Sequence, residues 1–101
     1  MTPAGFKITD SKGVHITFKN GWTVSIQIGP GNYCDNYSME IADFYEKRPR
    51  SLESATAEIA FWGPDGQMQA FGDPTAEYRD TVKGYVPPEE VLHLLVDVAR
   101  R

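Results

Sequence analysis

The chain has one cysteine, two histidines and no long apolar run, and each scarcity excludes a class of protein. Cys34 alone allows no disulfide within the chain, and no Cys/His set has the spacing of a structural zinc site. No stretch approaches the ~20 apolar residues that cross a bilayer, and residues 1–10 lack the apolar core of a signal peptide. We therefore expect a cytoplasmic protein with no metal, no cofactor and no membrane contact.

Basic residues are also fewer than a nucleic-acid-binding protein normally has. Ten basic and 14 acidic residues give a formal net charge of −4, whereas a duplex-binding surface normally shows a clear basic excess. Hydrophobic residues make up 41% and charged residues 24%, as in ordinary globular domains. A length of 101 residues fits one domain and is too short for two, so we expect a single globular domain over 1–101.

Two runs of alternating apolar and polar residues between positions 14 and 28 predict a β-hairpin. The Asn20-Gly21 pair between them suggests a two-residue turn, but that register would put polar side chains on the apolar face. A three-residue loop over 19–21, with Gly21 left-handed, keeps one face apolar. The pairs in this register are Phe18 with Trp22, Ile16 with Val24, and Val14 with Ile26.

A second hairpin is predicted over residues 55–70, where small and large apolar residues again alternate. A four-residue loop over 63–66, with Pro64-Asp65 at the centre of a type I turn, pairs Phe61 with Met68 and Ile59 with Ala70. The opposite face carries Trp62 and Phe71. We interpret these two residues as an exposed aromatic patch that suits a partner or a dimer surface.

The C-terminal third of the chain predicts a strand and a helix. Residues 81–86 form a short strand in which Gly84 marks a bulge or an edge position. Pro88 followed by Glu89-Glu90 is typical of a helix start. An apolar stripe then faces the core: Val91, Leu94, Leu95 and Val98, widened by Leu92. The fold class is α+β, an antiparallel sheet of about five strands, including the two hairpins, packed against a C-terminal helix.

The segment GPGNYCDNY, residues 29–37, directly follows a strand and has the composition of a recognition loop. Tyrosine supplies a stiff ring, and asparagine supplies adaptable hydrogen bonds. The alternative is a structural corner, with Tyr33 and Cys34 packed beneath the loop and Asp35 and Asn36 in local turn bonds. The candidate binding residues are Asn32, Tyr33, Asp35, Asn36 and Tyr37, together with Arg48 and Trp62.

No catalytic constellation accompanies these residues. A nucleophilic Cys34 would need a nearby base, and the two histidines, His15 and His93, fall on the polar face of a strand and on the helix. We expect both histidines at the surface. The sequence therefore favours a protein that is not an enzyme.

The order of several short motifs resembles that of small uncharacterised proteins encoded by bacteriophages and prophages. The motifs are Asn20-Gly21-Trp22, residues 29–35, a strand containing Trp62, Gly84-Tyr85 and Pro88-Glu89-Glu90-Val91. The resemblance implies action in the host bacterial cytoplasm, where such proteins often inhibit host enzymes or defence systems by binding. It attaches no activity to the motifs.

The combined expectation is a non-enzymatic binding protein of phage or mobile-element origin. Its partner would be a host protein, such as a defence factor or nuclease inhibited through protein contact, and a homodimer stays open. One alternative is a binder that sequesters a nucleotide signal through Tyr33, Tyr37 and Arg48. The other is a small enzyme that uses Cys34.

Overall fold

Five strands and a C-terminal helix form the fold in a computed structural model that describes residues 3–10, 12–29, 32, 34 and 53–101. The strands lie in sequence order, and each pairs antiparallel with its neighbour. They are β1 (Gly5–Thr9), β2 (Gly13–Thr17), β3 (Thr23–Gln27), β4 (Ala57–Trp62) and β5 (Lys83–Val86), followed by helix α1 (Pro88–Ala99). The predicted α+β class, a five-stranded antiparallel sheet with a C-terminal helix, is confirmed.

The hairpin of β2 and β3 has the predicted register. Ile16 pairs with Val24 and Val14 with Ile26, and the Phe18 amide donates to the Trp22 carbonyl at 2.8 Å. Gly21 has φ +87°, a left-handed value that glycine adopts without steric cost. The three-residue loop therefore keeps all these apolar side chains on one face of the sheet.

Strand β1 lies outside the predicted elements, although its sequence carries a short period-two signal. Phe6 and Ile8 alternate with Lys7 and Thr9, and the strand pairs with β2 through Phe6–Ile16 and Ile8–Val14. Cross-strand partners in an antiparallel sheet point to the same face. Phe6 and Ile8 therefore lie on the face that carries the apolar side chains of β2 and β3.

The predicted second hairpin is reduced to one bridge, and its register is wrong by one residue. Trp62, not Phe61, pairs with Met68, and the Gly63 amide donates to the Gln67 carbonyl at 3.3 Å. The cause is Gly66, whose φ of +81° closes a three-residue loop over 64–66 instead of a four-residue loop. β4 instead pairs with β3 on one side and with β5 on the other.

The prediction that Gly84 marks a bulge or an edge is confirmed on both counts. Ala57 pairs with Val86 and Ile59 with Lys83, so two residues of β5 lie opposite one residue of β4. Tyr85, one of these two, has φ +55°, which is rare for a residue with a side chain. β5 is also an outermost strand of the sheet.

Helix α1 packs on the apolar face over β3 and β4. Val24, Phe61 and Val98 are buried together, and Leu94 and Leu95 pack against them. Three of the predicted core positions, Val24, Ile59 and Val98, expose 2% of their surface or less. Leu92, predicted to widen the helix's core stripe, is instead 59% exposed.

The C-terminal end of α1 is held by the loop between β2 and β3. Asn20 Nδ2 donates to the carbonyls of Val98 at 2.9 Å and Arg101 at 3.1 Å, while its Oδ1 accepts from the Trp22 amide at 3.0 Å. The Arg101 guanidinium lies 4.7 Å from the centre of the Trp22 ring and 3.2 Å from Asp97. These contacts fix the helix over the β3–β4 half of the sheet.

Candidate interaction surface

Two of the predicted binding residues, Asn32 and Trp62, fall in the described part of the chain. The predictions for the others lie outside the described residues. These others are Tyr33, Asp35, Asn36, Tyr37 and Arg48.

Asn32 and Cys34 form a compact turn just after β3. The Asn32 amide donates to the Gly29 carbonyl at 3.2 Å, and the Cys34 amide donates to the Asn32 carbonyl at 2.8 Å. The Cys34 thiol contacts the Gly29 carbonyl at 3.7 Å, and Cys34 is 0% exposed. These two residues have the geometry of a structural corner, and the thiol offers no accessible surface to a substrate.

Trp62 lies on the face of the sheet opposite α1 and is half-buried, in contrast to the exposed patch that we predicted. Its ring meets the His15 ring edge-on, with centroids 5.1 Å apart. Phe71 does not join it, because Phe71 packs against Phe61 with centroids 5.3 Å apart. The one-residue register shift explains the error, since such a shift moves side chains to the other face.

His15 is likewise half-buried, whereas we predicted a surface position; His93 is exposed as predicted. Burial, which disfavours the charged imidazolium, and the nearby Lys7 ammonium together lower the pKa of His15 below its usual value of 6.5. Lys7 is the cross-strand partner of His15 on β1. The His15 imidazole therefore stays neutral to a lower pH than an exposed histidine.

Asn32 and Trp62 do not lie together. Trp62 pairs with Thr23 at the start of β3, whereas Asn32 follows Gln27 at the end of the same strand. Five residues of strand separate these ends by about 13 Å, at ~3.3 Å per residue. The two described members of the predicted site thus lie near opposite ends of β3.

Strand β1 instead carries two strongly exposed apolar side chains. Phe6 is 80% exposed and Ile8 is 71% exposed, although both point to the face on which α1 packs. Their cross-strand neighbours Val14 and Ile16 are half-buried. α1 therefore leaves the β1–β2 half of this face uncovered.

One flank of α1 adds two more exposed apolar side chains, Leu92 at 59% and Val96 at 42%. Successive helical residues are rotated by about 100°, so Glu90 and Leu92 point to opposite sides of Val91. Glu90 forms an ion pair with Lys83 of β5 at 2.9 Å. Since Glu90 faces β5, Leu92 lies on the flank of α1 nearer to β1 and β2. Val96 is about 160° around the helix from the buried Val98, so it lies on the outer part of that flank and points away from the sheet.

These side chains form a groove with an apolar floor and an apolar wall, here called the open groove. Strands are ~4.8 Å apart, so β1 and β3 lie about 10 Å from each other. Packed helices are separated by a similar 8–10 Å, so the space beside α1 is about one helix wide. The floor is Phe6, Ile8, Val14 and Ile16, and the wall is the flank of α1 that carries Leu92, with Val96 at its outer rim.

An apolar cleft of about 290 Å³ lies beside the N-terminal half of α1. Its lining joins Val91, Leu92 and Leu95 of the helix to the ends of three strands. The strand residues are Ile26 of β3, Ala57 of β4 and Val86 of β5, with Ile28 and residues 54–56 beside them. Leu92 belongs both to this cleft and to the wall of the open groove. The cleft therefore lies over the ends of β3, β4 and β5, beneath the N-terminal half of α1.

Residues 3–10, 12–29, 32, 34 and 53–101 contain no group of three or more His, Cys, Asp or Glu side chains that could hold a metal ion. In the same part of the chain, no helix is both long and apolar enough to span a bilayer.

No protein-family model, no curated protein and no solved structure matches this chain.

Proposed function

We propose that this chain is a small non-enzymatic binding protein that contacts a protein partner through the open groove. The observation that carries the proposal is the exposure of Phe6, Ile8, Leu92 and Val96 around one surface. Apolar side chains exposed singly are ordinary, but a contiguous patch on a soluble domain marks an interaction site. Here two secondary-structure elements supply the patch, so it has a defined shape.

The size of the domain makes this exposure costly. A chain of this length buries roughly 60–68% of the surface that its unfolded state exposes, so its core is small. Burying a side chain such as Phe6 or Ile8 stabilises a protein by ~1.5–3 kcal/mol, which the isolated chain forgoes at both positions. A partner that covers the groove recovers this free energy, and that recovery is the driving force we assign to binding.

The shape of the open groove fits an amphipathic helix laid beside α1. Helix-in-groove recognition reads apolar residues at i, i+3, i+4 and i+7 on the bound segment. β1 is also an outermost strand, so addition of a strand at its edge is the other geometry open to a partner. Both modes bury Phe6 and Ile8.

The biological setting that we propose is phage or mobile-element origin, with a host defence factor or nuclease as the inhibited partner in the bacterial cytoplasm. The resemblance in motif order supports this setting, and no described contact bears on it. The net charge of −4 supports a protein partner over a nucleic acid.

The two alternative functions have less support. Cys34 is 0% exposed, so an enzyme that uses this thiol would have to open the corner formed with Gly29 and Asn32. The nucleotide-binding alternative depends on Tyr33, Tyr37 and Arg48, which lie outside the described residues. Neither alternative uses the open groove.

The test is affinity capture from bacterial cells with three tagged proteins: the wild type, Ile8→Asp and Tyr78→Ser. Tyr78 is 79% exposed on the segment between β4 and β5, so Tyr78→Ser removes exposed apolar area away from the groove. We expect the wild type and Tyr78→Ser to retain the same partner protein and Ile8→Asp to lose it. Equal capture by all three proteins, or by none, would contradict the proposed function.

A further inference from the structure

We infer that, when no other partner is present, two copies of this chain close their open grooves against each other. The inference concerns the same surface as the proposed function and rests on it for the location of the contact. It adds that the free protein is a dimer with two-fold symmetry. A host partner would then have to displace the second copy.

The exposed area of the groove is what a small homodimer needs. Phe6, Ile8, Leu92 and Val96 are 80%, 71%, 59% and 42% exposed, which leaves about 400 Å² of apolar side-chain surface if each full side chain offers ~150–200 Å². Two copies would bury about 800 Å². Because homodimer interfaces are ~65% apolar, this area corresponds to about 1,200 Å² in total, the lower bound for stable specific interfaces.

The arrangement of the groove is suited to two-fold symmetry. A two-fold interface uses one patch on both copies, and residue i meets j while j meets i. The groove has two apolar components on separate elements, the floor with Phe6 and Ile8 and the wall with Leu92 and Val96. The helix flank of each copy can enter the space above β1 and β2 of the other, because that space is about one helix wide.

Charge favours this packing over edge-to-edge pairing of the two β1 strands. The edge register that places Phe6 opposite Ile8 of the second copy also places Lys7 opposite its own counterpart, and like charges directly opposite are destabilising. Lys7 pairs with His15 and so points to the other face of the sheet, away from the groove. Packing through the groove therefore buries the apolar side chains without opposing these two ammonium groups.

The experiment is sedimentation velocity of the purified full chain over a range of concentrations, for the wild type, Ile8→Asp, Val96→Asp and Tyr78→Ser. We expect a concentration-dependent monomer–dimer equilibrium for the wild type and for Tyr78→Ser. Each groove substitution acts twice in a two-fold dimer, so we expect Ile8→Asp and Val96→Asp to raise the dissociation constant at least about 100-fold. Circular dichroism of each variant establishes that it remains folded.

A wild type that stays monomeric at all concentrations would overturn the inference. Unchanged dimerisation of both Ile8→Asp and Val96→Asp would overturn it as well. If Ile8→Asp is monomeric but Val96→Asp dimerises normally, the contact is the β1 edge and the groove packing is wrong. A monomeric wild type that still captures its partner in an Ile8-dependent way would reject the dimer while supporting the proposed function. A wild type that dimerises but captures no partner protein would support the dimer and contradict the proposed function.

Discussion

Replacing Asn20 by alanine tests how α1 is held in place to form the wall of the groove. The last carbonyls of a helix have no partner within it, and Asn20 supplies one from a loop 78 positions earlier in the chain. The substitution removes the bonds from Nδ2 to the Val98 and Arg101 carbonyls. It also removes the bond that Oδ1 accepts from the Trp22 amide within the hairpin loop.

The expected loss follows from the burial of these groups. The bonds to Val98 and Trp22 are partly buried and are worth about 1 kcal/mol each, whereas water can replace Asn20 at the exposed Arg101 carbonyl. Asn20→Ala should therefore lower the free energy of unfolding by about 2 kcal/mol, near the upper end for loss of a helix cap. Fraying of the last helical turn would also loosen the groove wall.

Urea denaturation followed by tryptophan fluorescence measures this loss. Asn32→Ala is the matched control, because the bond from Asn32 Nδ2 to the Ile28 carbonyl, its one side-chain bond within the described residues, is long at 3.4 Å. We expect that control to cost less than about 0.5 kcal/mol, as for most surface substitutions. If Asn20→Ala costs no more than Asn32→Ala, the helix is held by its apolar contacts and not by this cap.

Two further outcomes follow from burial on the two faces of the sheet. Ile59 is 2% exposed, so Ile59→Ala should lower the free energy of unfolding by about 2–5 kcal/mol. Ile8 is 71% exposed, so Ile8→Ala should lower it by less than about 0.5 kcal/mol in dilute monomer. Similar losses for the two variants would mean that β1 is covered. His15 has a lowered pKa when folded, so its contribution to stability is present above pH 6.5 and declines as the pH falls below that value. Urea midpoints on acidification should fall further for the wild type than for His15→Gln, and equal slopes would exclude this role.

The accuracy of the sequence predictions follows the strength of the local signals. The register of β2 and β3 was predictable because only the loop with a left-handed Gly21 keeps Val24 and Ile16 on one face. The same reasoning applied to Gly66 would have given the correct pairing of Trp62 with Met68. β1 was not predicted, because the alternation that marks it covers only the four residues 6–9 and is a weak signal.

The groove was not predictable in the same way. The apolar stripe of α1 predicted Leu92 in the core. No predicted element included Phe6 and Ile8, and their alternation with polar residues would have placed them on a buried face. Their exposure depends on where the helix crosses the sheet. Asn20, which fixes that crossing, gave only a turn signal in the sequence.

Periodicity and turn chemistry in the sequence thus determined the class of fold, the hairpin of β2 and β3, the helix at 88–99 and the bulge at Gly84. These features depend on contacts between residues near in the chain or on the direction in which a side chain points. Tertiary structure decided which apolar faces are covered, because a helix about 10 Å wide cannot cover five strands spaced ~4.8 Å apart. Where α1 lies, over β3 and β4, therefore decides that Phe6 and Ile8 stay exposed.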